Sequence, residues 1–96
     1  MTIVRFLSPA EKYLRKLKDR TLKQLFQDAV DVIAADPEIG EEKTGDLAGI
    51  HTYGFRYAKT DYRLAYRIEY VDDTIVIVVL AGTHEGFYEQ IKRYLR

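Results

Sequence analysis

The sequence predicts an α+β domain: an antiparallel sheet of about four strands, an N-terminal α-hairpin on one face and a short C-terminal helix. Three observations carry that prediction. Residues 62–70 alternate apolar and polar, as a half-buried strand does. Residues 75–81, Ile-Val-Ile-Val-Val-Leu-Ala, are apolar on both faces, as a central strand is. Residues 22–34 place apolar side chains at helical spacing instead. The predicted element order is β-α-α-β-β-β-α over a single domain, residues 1–96.

Each element has a local cause. Thr2 to Leu7 is short and rich in β-formers, which suits a first strand at an edge. Ser8-Pro9-Ala10-Glu11 reads as a helix start, with Ser8 as cap and Glu11 closing a capping box. The helix that follows gathers Tyr13, Leu14 and Leu17 on one side. Asp19 is placed to cap a second helix. Its stripe of Leu22, Leu25, Phe26, Ala29, Val30, Ile33 and Ala34 ends at Asp36-Pro37, because a residue before proline avoids the helical region. Residues 38–49 show no periodicity and read as a long loop. Tyr53, Phe55 and Tyr57 then share one face of a strand, and Gly54, Arg56 and Ala58 the other. A turn is expected at Lys59-Thr60-Asp61. In the next strand Tyr62, Leu64, Tyr66, Ile68 and Tyr70 face the helices. Arg63, Ala65, Arg67 and Glu69 face away. Asp72-Asp73 turns the chain. Gly82 is expected to break the last strand, and Thr83 to cap a helix over 85–95.

Composition narrows the function classes. The chain has no cysteine, so disulfide and thiolate chemistry are excluded. Two histidines are few for a metal site, and none is expected. No apolar run is long enough to span a bilayer, and a cytoplasmic protein without a membrane partner is expected. Fifteen basic residues balance fifteen acidic ones. The balance is local only in part: residues 1–27 carry seven Lys/Arg against two acids, and residues 28–50 one Lys against seven. Net charge therefore gives no sign of nucleic-acid binding, while patches of either sign remain.

Chemistry is expected on the sheet face away from the helix pair. Alternation puts Arg56, Arg63 and Arg67 there, and the exit of the last strand brings His84 and Tyr88 to the same rim. Arginine grips phosphate with a planar fork of donors, histidine moves a proton near neutral pH, and tyrosine stacks on a base or donates a hydrogen bond. Structural roles are open to the same residues. Arg63 and Arg67 suit a solvated sheet face, His84 a helix start, Tyr88 a core and His51 a plain surface.

Asp61-Tyr62-Arg63-Leu64-Ala65-Tyr66-Arg67-Ile68, the apolar strand after it, Gly82-Thr83-His84-Glu85-Gly86-Phe87-Tyr88 and Ile91-Lys92-Arg93-Tyr94-Leu95 resemble the RelE/ParE toxin superfamily of type II toxin–antitoxin modules. The element order and Leu47-Ala48-Gly49 are similar too. The resemblance implies a toxin held by a cognate antitoxin in a hetero-oligomer. It also implies ribosome-dependent cleavage of mRNA, without cofactor or metal, by attack of the 2′-hydroxyl on the adjacent phosphate. On that basis Arg63 stabilises the phosphate, Arg56 adds charge and His84 transfers a proton. Tyr88 or Phe87 provides the C-terminal aromatic, and Arg67 and Lys59 are further substrate-binding candidates. A lysine of RelE-like members falls at Gly54, and ribosome-dependent members are more basic than this chain. The resemblance therefore implies an alternative, the ParE-like inhibition of DNA gyrase by protein contacts alone.

Overall fold

The computed structural model describes residues 2–94. The chain runs β1 (Thr2–Phe6), α1 (Ser8–Lys16), α2 (Arg20–Ala35), β2 (Glu41–Glu42), β3 (His51–Tyr57), β4 (Thr60–Tyr70), β5 (Thr74–Thr83) and α3 (Phe87–Tyr94). The α+β class and the element order hold, with one strand added. The sheet order is β1-β5-β4-β3-β2. β3, β4 and β5 form the predicted meander. β1 adds to the free edge of β5 but runs parallel to it, Thr2 against Thr74 and Phe6 against Val78. The sheet is thus mixed rather than antiparallel throughout. Leu7 N–H extends the parallel ladder to Val78 O at 2.9 Å, so the ladder leads directly into α1.

The added strand is β2. Glu41 pairs with Thr52 and Glu42 with His51, and Lys43 N–H bonds Ile50 O at 2.8 Å. Two glutamates carry no strand periodicity, which is why the stretch reads as a loop. Charge at a sheet edge also discourages pairing with other chains.

The helices start where their caps allow. Asp19 caps α2 as predicted, accepting from Thr21 N–H at 3.0 Å and Leu22 N–H at 3.2 Å. α1 begins at Ser8 itself and Leu7 takes the cap position without a side-chain bond. Glu11 instead pairs with Arg15 one turn on. The hairpin turn is Ala58-Lys59, both with positive φ. Such a pair matches the right-handed twist of the strands it joins.

Two cores flank the sheet. On one face Leu22, Phe26, Ala29, Val30 and Ile33 of α2 pack on Leu64, Tyr66, Val76, Val78 and Ala81. Phe26 meets Tyr13, Phe55 and Tyr62 edge to face. Tyr66 is fully buried, and its hydroxyl donates to Pro37 O and accepts from Gly40 N–H. His51 stacks on Tyr66 and is half-buried, not a plain surface residue. The opposite face is not bare. Phe87 and Ile91 of α3, with Leu47 and Ile50, cover Ala65, Val79 and Leu80.

A β-bulge creates that second core. Ala65 faces Leu80 and Tyr66 faces Val78, so Val79 is the extra residue. A bulge changes the phase of the side chains beyond it. Before it, Val76 and Val78 face the helix pair. After it, Ala81 faces the helix pair while Leu80, and with it Gly82, faces the other way. Gly82 does not break β5; it pairs with Arg63 inside the strand. α3 accordingly begins at Phe87, after Gly86 in a positive-φ conformation, rather than next to Thr83. The predicted end of that helix at Leu95 lies outside the described residues.

Candidate functional site

Arg63 sits between two glycines, Gly54 on β3 and Gly82 on β5. The gap is used. A Cβ at Gly54 would stand 2.8 Å from Tyr62 O and 3.3 Å from Arg63 Nη1. The missing side chain lets the guanidinium lie across β3. Arg63 Nε donates to His84 Nδ1 at 3.2 Å. His84 is fixed by its own backbone, whose N–H bonds Asp61 O at 2.8 Å. Arginine has no acceptor, so Nδ1 carries the lone pair and the neutral ring carries its proton on Nε2.

The His84 and Tyr88 rings meet at 5.9 Å between centroids and nearly at right angles. Tyr88 is in turn covered by Lys43, whose Nζ lies 4.9 Å from the ring centroid and 3.1 Å from Glu41 Oε1. Desolvation opposes the Lys43 charge, but the Tyr88 phenol and the Glu41 carboxylate outweigh it and push its pKa up. The result is a row of Arg63, His84, Tyr88 and Lys43 along the open face. Arg56 joins at one end, where it lines an open cleft of about 200 Å³ with Gly54, Asp61 and Arg63.

The structure thus brings together Arg63, His84, Tyr88 and Arg56. It does not bring in the others. Arg67 lies four residues from Arg63 along β4, about 13 Å by strand rise. It stands level with Lys43, with Ile50 of the second core between them. Among the described residues only Lys43 of the two lies over the Tyr88 ring. Lys59 is exposed at the hairpin tip. Phe87 is 1% exposed and belongs to the second core, which leaves the aromatic position on the open face to Tyr88. Lys43 was missed by sequence reasoning. Its one signal is that it is the single basic residue among seven acids in residues 28–50.

A larger hollow of about 610 Å³ lies elsewhere, between α1 and α2. Phe6, Leu14, Phe26 and Val30 give it an apolar floor, and Arg15, Arg20 and Lys23 rim it. Among the described residues no helix is long and apolar enough to cross a membrane. Nor does any group of three His, Cys, Asp or Glu among them form a metal-holding set.

A profile of the ParE-like toxins of type II bacterial toxin–antitoxin systems matches residues 4–92. The chain belongs to that family. No curated protein sequence matches this ParE-like toxin significantly. Among solved structures, it is similar to a chain of the RelBE2 toxin–antitoxin complex of Mycobacterium tuberculosis, at 31% identity and a TM-score of 0.63. That match covers 85% of this chain and 96% of the other. A double-arginine variant of the E. coli toxin RelE in the free state matches at a TM-score of 0.70 and 24% identity, covering 95% of each chain. The intact E. coli RelBE complex matches at 0.68 and 24%, covering 86% of this chain and 96% of the other. At that identity the E. coli structures speak for the fold alone. The ParE-like toxin therefore carries the RelE/ParE superfamily fold and is a toxin of a type II system.

Proposed function

We propose that this toxin is an mRNA interferase, cleaving RNA on the ribosome by attack of the 2′-hydroxyl on the adjacent phosphate. The observation that carries the reading is the Arg63 Nε–His84 Nδ1 bond at 3.2 Å. It couples a phosphate-gripping fork to a group that moves protons at neutral pH.

In the free protein Arg63 occupies the Nδ1 lone pair. A phosphate that draws the guanidinium away frees that lone pair to take the 2′-hydroxyl proton. The 2′-oxygen then bonds to phosphorus and the bond from phosphorus to the 5′-oxygen breaks. The products are a 2′,3′-cyclic phosphate and a 5′-hydroxyl. Arg63, with Arg56 beside it, balances the charge that builds on the phosphate oxygens. Tyr88, packed on His84, supplies the hydroxyl proton to the leaving 5′-oxygen.

The partner is a cognate antitoxin, as in the RelBE complexes above. The apolar hollow between α1 and α2 is the seat this reading gives to an antitoxin segment, since it lies apart from the Arg63 row.

Arg63→Ala and His84→Ala test the reading. Each is expected to abolish growth arrest on induction and to slow cleavage on the order of a hundredfold or more. The double variant is expected to lose little beyond either single one, because groups that act together on one reacting centre lose most of their effect when either is removed. Full toxicity in both single variants would overturn the nuclease.

A second reading is favoured by the ParE-like description of the matching family and by the balanced charge of the chain. It is inhibition of DNA gyrase by protein contacts. That reading predicts loss of supercoiling with intact messages, and indifference to His84→Ala.

A further inference from the structure

Lys43 has an unusual place for a lysine. Seven acids share residues 28–50 with it, and an ammonium in such company normally lies out in water. Its side chain is instead only 18% exposed, against 70% for its partner Glu41. The backbone enforces this. Lys43 N–H is tied to Ile50 O, and Glu41 and Glu42 are paired to β3 just before it. The side chain is thereby aimed across the open face onto Tyr88. The ammonium keeps its charge there. A lysine pair with one exposed carboxylate is weak and easily exchanged for a stronger anion.

We propose that Lys43 contacts a second RNA phosphate, two along from the one gripped by Arg63, exchanging Glu41 for that phosphate when the strand binds. The inference rests on the RNA-cleavage reading above and adds a second phosphate position to it. Register separates the two cations. Lys43 is bonded opposite Ile50 and Arg63 is paired with Gly54. Those positions are four residues apart on β3, about 13 Å by strand rise. The His84 and Tyr88 rings stand along the row between them. Neighbouring phosphates of one strand stand at about half that spacing, so two cations so placed meet phosphates two apart rather than adjacent ones or two oxygens of one. Lysine suits the second position because it binds phosphate as a compact point charge, whereas arginine supplies the directed fork at the reacting one.

The test is single-turnover cleavage of mRNA on ribosomes, with the phosphate two positions from the cut one on either side replaced in turn by an uncharged methylphosphonate. Lys43→Gln is expected to slow the unmodified message about tenfold, as loss of one charge-assisted bond does. At one of those two positions, the methylphosphonate and Lys43→Gln together should be no slower than either alone. Lys43→Arg should restore most of the rate, and all variants should melt near the parent temperature. Losses that multiply at both positions, or a Lys43→Gln rate equal to the parent, overturn the contact and leave the nuclease standing. A fall in rate that only follows a fall in Tm assigns Lys43 to packing and overturns the contact too. A parent toxin that leaves the ribosome-bound message intact overturns the RNA-cleavage reading itself, and the contact with it.

Discussion

At the scale of single residues, the site is built as much by what is missing as by what is present. Arg63 reaches His84 because Gly54 leaves room across β3. Gly54→Ala puts a methyl 2.8 Å from the Tyr62 carbonyl oxygen and against the Arg63 side chain. The backbone oxygen cannot rotate away, so the strand or the guanidinium must shift. The expected outcome is a destabilisation of about 1–3 kcal/mol in thermal unfolding, typical of overpacking. A rate loss on the order of tenfold to a hundredfold should accompany it, since small displacements of a reacting group are costly. A variant as active as the parent would show that Arg63 does not work from this position. The residues were unevenly legible in the sequence. Arg56 and Arg63 could be assigned to the open face because alternation runs unbroken through β3 and the start of β4. Phe87 and Tyr88 could not be told apart, because their roles depend on which face of α3 meets Ala65 and Leu80.

At the scale of elements, two local devices position the site. The bulge at Val79 is one. Strict alternation along β5 would send Leu80 and Gly82 toward the helix pair, with His84 following. The extra residue reverses this and delivers His84 to Arg63. Nothing in Val78-Val79-Leu80 marks a bulge, since all three are apolar and pack on either face, so this step was not legible. β2 is the other device, and two paired glutamates give no pattern to read. The Asp19 cap was legible, because a short acidic side chain before a helical stripe has a known use. It also yields a pH prediction. Bonds from the Leu22 N–H and the Tyr57 hydroxyl, with a smaller one from Thr21 N–H, hold the Asp19 carboxyl below its usual pKa. A carboxyl depressed on folding stabilises above its unfolded pKa of about 4, and that support is lost as pH falls through the lower folded value. The parent Tm should therefore drop more steeply than that of Asp19→Asn as pH falls below about 4. Asparagine still caps the helix but does not titrate. Parallel Tm curves for the two proteins would remove Asp19 from the account.

At the scale of the whole molecule, the sheet separates two jobs. One face holds the helix pair and, between α1 and α2, the apolar hollow. The other carries α3 and the row from Arg63 to Lys43. The α+β class followed from periodicity alone, whereas the parallel pairing of β1 depends on a return path through two helices that no local pattern records. The family gives the fold and the toxin class, and the row of side chains gives the chemistry proposed for it. The most direct measurement is primer extension on a translated message after induction, with the chemistry of the new 3′-ends determined. The account predicts codon-phased cuts confined to translated regions, ending in 2′,3′-cyclic phosphate and absent with His84→Ala. Intact messages together with a loss of DNA supercoiling would contradict it.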